Sequence, residues 1–139
     1  MEQNAENLKK DYVICMLDID FFKKVNDTYG HAVGDVVLVK LSEFLKEVAG
    51  AENLAVRWGG EEFILYFQDA SVDSIKPLME DLRQRVESTV IETAEHRIQI
   101  TITVGISTGS SGRNYQRAIK RADEKLYLGK QQGRNRVVT

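Results

Sequence analysis

Residues 12–19, YVICMLDI, form an almost unbroken apolar run with β-branched members, interrupted only by Asp18 near its end. No alternation separates a wet face from a dry one, so a strand built from it must be covered on both sides. A one-layer sheet with one solvated face is thereby excluded. The same run delivers Asp18 and Asp20 to the C-terminal end of a buried strand.

The remaining pattern supplies material for both layers. The stretch FFKKVNDTYGHAVGD, rich in Asn, Asp and Gly, reads as a loop. After it Val36, Val37, Leu38, Leu41, Phe44, Leu45 and Val48 recur at helical spacing, with Gly50 as a stop and Asp35 next to the helix N-terminus. Residues 54–58 and 63–67 read as a hairpin whose glycines, Gly59 and Gly60, supply a turn with positive φ. A surface helix is predicted over 72–90 from Ile75, Met79, Leu82, Val86 and Val90, with Pro77 near its first turn. Strict alternation of Ile98, Ile100, Ile102, Val104 and Ile106 predicts one strand over 97–107. A helix over 115–131 and a short strand over 136–138 complete the chain, and the polar residues 1–11 read as a flexible leader. The order β-α-β-β-α-β-α-β in 139 residues predicts a single α+β domain, with a mixed, mostly antiparallel central sheet flanked by helices, of the palm or nucleotidyl-cyclase type.

Charge narrows the chemistry. With 19 Lys+Arg against 21 Asp+Glu the net charge is −2, so no global positive field holds nucleic acid, and a bound phosphate needs a local site. Cys15 is the single cysteine and lies inside the first apolar run, which rules out an intrachain disulfide and suits a reducing, cytoplasmic setting. No apolar run approaches the ~18 residues of a membrane span, and no direct membrane contact is expected. Two acidic loci remain, Asp18-Ile19-Asp20 at the strand end and Glu61-Glu62 on the hairpin tip. In a palm-like sheet these elements are neighbours, and Mg²⁺ takes just such a sparse set of carboxylates, leaving room for water and phosphates. Alone, each locus would read as solvated acidic surface. The turn at Phe21 and Phe22, followed by Lys23 and Lys24, offers backbone N–H groups and point charges to a phosphate. Asn26 and Asp35 have the donors and acceptors to read a guanine edge, although each alone would suit a turn or helix cap.

The run from Asp18 to Asp35, DIDFFKKVNDTYGHAVGD, is followed in order by RWGGEEF (57–63), TVGIS (103–107) and KRADEKLY (120–127). Together these motifs resemble the GGDEF family of diguanylate cyclases, over most of the chain. The resemblance implies condensation of two GTP molecules into cyclic di-GMP by a homodimer, driven by an upstream sensor or regulatory domain. Asp18, Glu61 and the Ile19 carbonyl would bind Mg²⁺, with Glu62 contacting a second ion, and Asp18, Glu61 and Glu62 would form the catalytic set. Asn26 and Asp35 would bind guanine. The amides of Phe21 and Phe22 with Lys23 and Lys120 would hold the β- and γ-phosphates, and Gly60 would leave room for the α-phosphate. His31 would position its loop, and His96 is expected to be exposed.

Two departures accompany the match. The arginine and aspartate of the family's product-inhibition site correspond here to Gly50 and Asn53, so feedback through that site is not expected. The D-x-L-T-G-L-x-N-R segment normally found upstream of the first strand is absent, which reads as a truncated domain. A catalytically silent GTP-binding module is the competing function, although retention of both acidic loci together with Asn26 and Asp35 favours the enzyme.

Overall fold

The computed structural model describes residues 11–110 and 114–139; the expected leader lies, but for Asp11, outside the described residues. The long apolar run forms β1 (Asp11–Ile19), the middle strand of a five-stranded sheet. Its neighbours are β3 (Glu62–Gln68) and β6 (Ile102–Ser110), both antiparallel to it. Outside these lie β2 (Leu54–Arg57), antiparallel to β3, and β7 (Arg136–Val138), parallel to β6. The order is therefore β2-β3-β1-β6-β7, mixed and mostly antiparallel as expected.

Both faces of β1 are dry because its two sets of side chains enter different cores. Val13, Cys15, Leu17 and Ile19 pack with Leu41 and Leu45 of α2 (His31–Ala49) and with Met79 and Leu82 of α3 (Val72–Ser88). Tyr12, Ile14 and Met16 pack on the opposite face against Ala118, Ala122 and Leu126 of α4 (Tyr115–Gln131). Burial pushes the Cys15 thiol far up from its ordinary pKa, leaving it a small hydrophobe. Gly105 lets α4 approach closely: a Cβ there would stand 2.2 Å from the Ala122 carbonyl oxygen. No described helix is long and apolar enough to cross a membrane.

Four local expectations are corrected. The segment read as a loop is helical: α1 (Phe22–Tyr29) buries Phe22 and Val25, and Gly30 at φ 95° separates it from α2. Helix α2 consequently begins at His31, and Asp35 sits in its second turn rather than beside its N-terminus. The alternating segment is not one strand. β4 (Ile91–Glu92) and β5 (Arg97–Ile98) make a small ribbon, and residues 99–101 belong to no strand before β6 begins; there the Thr101 carbonyl accepts from the Asp20 N–H at 2.9 Å. Its isoleucines still reach one core, so the hydrophobic alternation outlasts the ladder. Finally, neither Gly59 nor Gly60 adopts positive φ. The tip is closed instead by the Glu62 carbonyl, which accepts from Trp58 and Gly59 N–H, and by Arg57, whose guanidinium donates to the Gly60 carbonyl at 2.6 and 3.0 Å.

Candidate active site

Pairing of β1 with β3 places Asp18 opposite Glu62, so the two acidic loci meet at one end of the sheet, with Glu61 on the hairpin tip beside them. Asp18 is 1% exposed. Lys130, at the end of α4, donates to its Oδ2, whereas Oδ1 is buried and has no hydrogen-bond partner. Burial raises the carboxyl to about 6, with Glu61 and Asp20 adding to the rise and Lys130 opposing it. A buried carboxylate oxygen without a donor, with the Glu61 charge close enough to be felt, fits a small hard cation. Among the described residues no three His, Cys, Asp or Glu side chains converge into a protein-only cage, and a Mg²⁺ site completed by substrate phosphates does not need one.

Beside these carboxylates opens a cleft of about 410 Å³, lined by Phe21, Lys23, Lys24, Glu61, Lys130 and Arg134 among others. Its lining carries four cations, Lys23, Lys24, Lys130 and Arg134, against three carboxylates, Asp20, Asp27 and Glu61. Phe21 and Phe22 have opposite fates. Phe22 enters the core, and Phe21 is 61% exposed in the left-handed conformation, φ 58° and ψ 34°, immediately before α1. No side chain caps α1, so its first-turn N–H groups are open to an anion. The Arg134 guanidinium lies over the Phe21 ring at 4.5 Å. Lys23 pairs with Asp27 at 3.1 Å on the exposed rim.

The other expected residues are distributed as follows. Gly60 has open space where a Cβ would project. Asn26 packs on α2 at Gly34, where a Cβ would come 1.9 Å from its Oδ1, and that oxygen is buried without a partner. Asp35, the next residue along α2, is exposed and lines a separate groove with Val36, Val39 and Val90, so the two guanine candidates are adjacent but do not share one described cavity. Lys120 is not brought to the cleft. It is exposed on α4, ten residues and about 15 Å of helical rise before Lys130. Lys130 and Arg134 are the cations that sequence reasoning missed. Their signal was the close of α4, where Lys130 in the last turn and Gly133-Arg134 just beyond it end a helix whose apolar face must lie on the Asp18 side of β1. His31 begins α2 and is exposed. His96 is half-buried, edge-on to Tyr29 at 4.8 Å, rather than exposed. Asn53 is turned inward, donating to the Ala49 carbonyl and accepting from the Gln68 N–H.

The match to known proteins decides the family: the model described as "Diguanylate cyclase, GGDEF domain" covers residues 1–136. The chain belongs to the GGDEF family. Its relatives include diguanylate cyclase A of Treponema denticola, 40% identical over 96% of this GGDEF domain and 37% of the relative. The response regulator PleD of Caulobacter vibrioides is 39% identical over 88% of the domain and 28% of its own length. The chain thus spans about a third of these curated relatives. Among solved structures, the GGDEF domain of DgcB from Caulobacter crescentus in complex with c-di-GMP is similar at TM-score 0.88 and 31% identity, covering 99% of this domain and 81% of that chain. An active GGEEF domain of a diguanylate cyclase from Vibrio cholerae is similar at TM-score 0.86 and 32% identity, covering 99% and 87%.

Proposed function

We propose that this GGDEF domain is a diguanylate cyclase, which binds GTP and joins two GTP molecules into cyclic di-GMP across a homodimer. The reading is supported by the unpartnered, buried oxygen of Asp18 beside a cleft whose rim brings Lys130 and Arg134 together with Lys23, Lys24 and Glu61. The 3′ oxygen of one ribose bonds to the α-phosphorus of the partner GTP, the bond to the bridging oxygen breaks, and pyrophosphate leaves. Repeating the step in the other direction closes the ring. Charge gathers on phosphate oxygens throughout, so catalysis is a matter of holding and neutralising them. Lys23, Lys130, Arg134 and the amides at Phe21 and Phe22 bind the β- and γ-phosphates, with Lys130 and Arg134 replacing the expected Lys120. Gly60 leaves the α-phosphate room at the hairpin, and Asn26 with Asp35 reads the guanine edge. Asp18, Glu61 and the Ile19 carbonyl would hold Mg²⁺ and Glu62 would contact a second ion, supplying a Lewis acid that stabilises the phosphate charge and eases loss of the 3′ proton. An upstream sensor or regulatory domain would bring two copies together.

The test is to incubate concentrated protein with GTP and Mg²⁺ and to follow the products by mass spectrometry. Cyclic di-GMP and pyrophosphate in a 1:2 ratio are expected. Tight GTP binding without product would favour the silent module, and equal affinity for ATP would overturn the guanine pocket.

A further inference from the structure

Asp20 has no part in the reading above, and its surroundings explain why. It is 4% exposed and both of its oxygens are occupied. Thr103 Oγ1 donates to Oδ1 at 2.6 Å; Thr101 Oγ1 and the Asn135 backbone N–H donate to Oδ2 at 2.7 and 3.0 Å. A carboxylate so engaged is spent on the protein and offers little to an ion. Its partners come from two distant parts of the chain, the start of β6 with the residue before it and the turn between α4 and β7.

That turn is the unusual one. Arg134 and Asn135 are consecutive non-glycine residues in left-handed conformations, φ 66° and 49°, which persist only where the surroundings over-determine them. Asn135 is fastened on its other side to α3, accepting from Arg83 Nη1 at 2.9 Å and donating to Glu87 Oε2 at 2.9 Å. Arg134 has its guanidinium over Phe21, which directly follows Asp20 and is itself left-handed. Asp20 is therefore one covalent step from one half of the Arg134–Phe21 pair and one hydrogen bond plus one residue from the other.

We propose that Asp20 is a positioning residue: its buried carboxylate clamps the α4–β7 turn against the end of β1, and thereby sets Arg134 over Phe21 as a fixed cation for the phosphate chain. The identity of that phosphate rests on the proposed function, but the clamp does not.

Hydrogen exchange on the whole chain, without ligand, reads the clamp alone. Asp20→Asn, and Thr101→Val as a milder second variant should the first fold poorly, should speed exchange of the Asn135 amide about tenfold or more, with β3 unchanged. Undiminished protection at Asn135 in both variants would overturn the clamp, even if the wild type makes cyclic di-GMP. Calorimetry with inorganic triphosphate then tests the coupling to Arg134. Asp20→Asn and Arg134→Ala should each weaken binding about tenfold, and the double variant should be little weaker than either, because one acts through the other. Additive losses would overturn the positioning role. A wild-type chain that binds no triphosphate would defeat both the positioning role and the proposed function, leaving only the exchange result to stand.

Discussion

Asp18 and Asp20 are the same residue type two positions apart, yet one keeps an oxygen without a donor and the other has every oxygen engaged. Nothing in the letters DID separates them. The difference arises because Ile19 ends β1, so Asp20 lies past the ladder, where Thr101, Thr103 at the start of β6 and the α4–β7 turn close over it. The burial of Asp18 has a consequence for pH. In divalent-free buffer its carboxyl titrates at about 6 in the folded chain, against 3.8 for an ordinary aspartate, chiefly because burial disfavours the charge. The folded state then holds the proton more tightly than the unfolded one, so stability is eroded between roughly pH 4 and pH 6 and stays at the lower level above. Asp18→Asn is uncharged throughout and escapes this erosion. Its melting temperature relative to wild type should rise across that interval and level off beyond it; a difference that stays flat over the interval would refute the account. Glu61 is only half-buried on the hairpin tip. Glu61→Gln should therefore alter stability by no more than about 0.5 kcal/mol while abolishing cyclic di-GMP formation. Turnover near the wild-type rate would remove Glu61 from the site.

Helix α4 carries Lys130 to Asp18, and its seat on the sheet is set at Gly105, where a Cβ would meet the Ala122 carbonyl at 2.2 Å and the Leu126 nitrogen at 2.4 Å. Both obstacles are backbone, so Gly105→Ala must lift the helix by roughly an ångström to restore ordinary contact. A loss of about 1–3 kcal/mol in urea unfolding is expected, accompanied by a fall in turnover because Lys130 rides the last turn. Ser71→Ala supplies the contrast. It removes the cap of α3, which accepts from the Ser74 N–H at 3.2 Å, and should cost about 1 kcal/mol with turnover unchanged. Comparable losses of turnover in the two variants would show that general destabilisation, not displacement of α4, governs the site. These elements also mark where sequence reasoning succeeded. The dry β1, the hairpin, α3 and α4 were legible because burial writes a period of two, of 3.6, or none at all into the chain. Helix α1 was not, since it buries only Phe22 and Val25 among its apolar residues and otherwise carries the Asn, Asp and Thr that usually signal a loop. The break before β6 was hidden because Ile98 before it, Ile100 within it and Ile102 after it all remain in the core. Lys130 and Arg134 were missed because their value depends on where α4 ends relative to β1, a tertiary relation that helical periodicity does not encode.

If the cleft beside Asp18 takes one GTP, closing a ring from two GTP molecules still requires two α-phosphates, each facing a 3′-hydroxyl on the other nucleotide. The competent species is therefore expected to be a two-fold dimer, with each nucleotide held by one copy and attacked across the interface. Below the dimer dissociation constant the initial rate should rise with the square of protein concentration. Fusion to a parallel coiled coil, which raises the effective concentration to the millimolar range, should restore activity at dilutions where the chain alone is silent. A linear rate law down to the most dilute protein would exclude the shared site. Feedback belongs to the same scale, because the family resemblance sets Gly50 and Asn53 where an arginine and an aspartate would be expected to grip the product. Gly50 ends α2 at φ 70°, and Asn53 has spent its amide on the Ala49 carbonyl and the Gln68 N–H, so neither offers the bidentate, charged grip that a phosphodiester and a guanine edge require. Cyclic di-GMP should accordingly inhibit only by occupying the cleft itself. Raising GTP should relieve the inhibition fully, and Asn53→Ala should leave the inhibition constant unchanged. Tight inhibition that survives saturating GTP would mean that a separate product site exists elsewhere on the molecule.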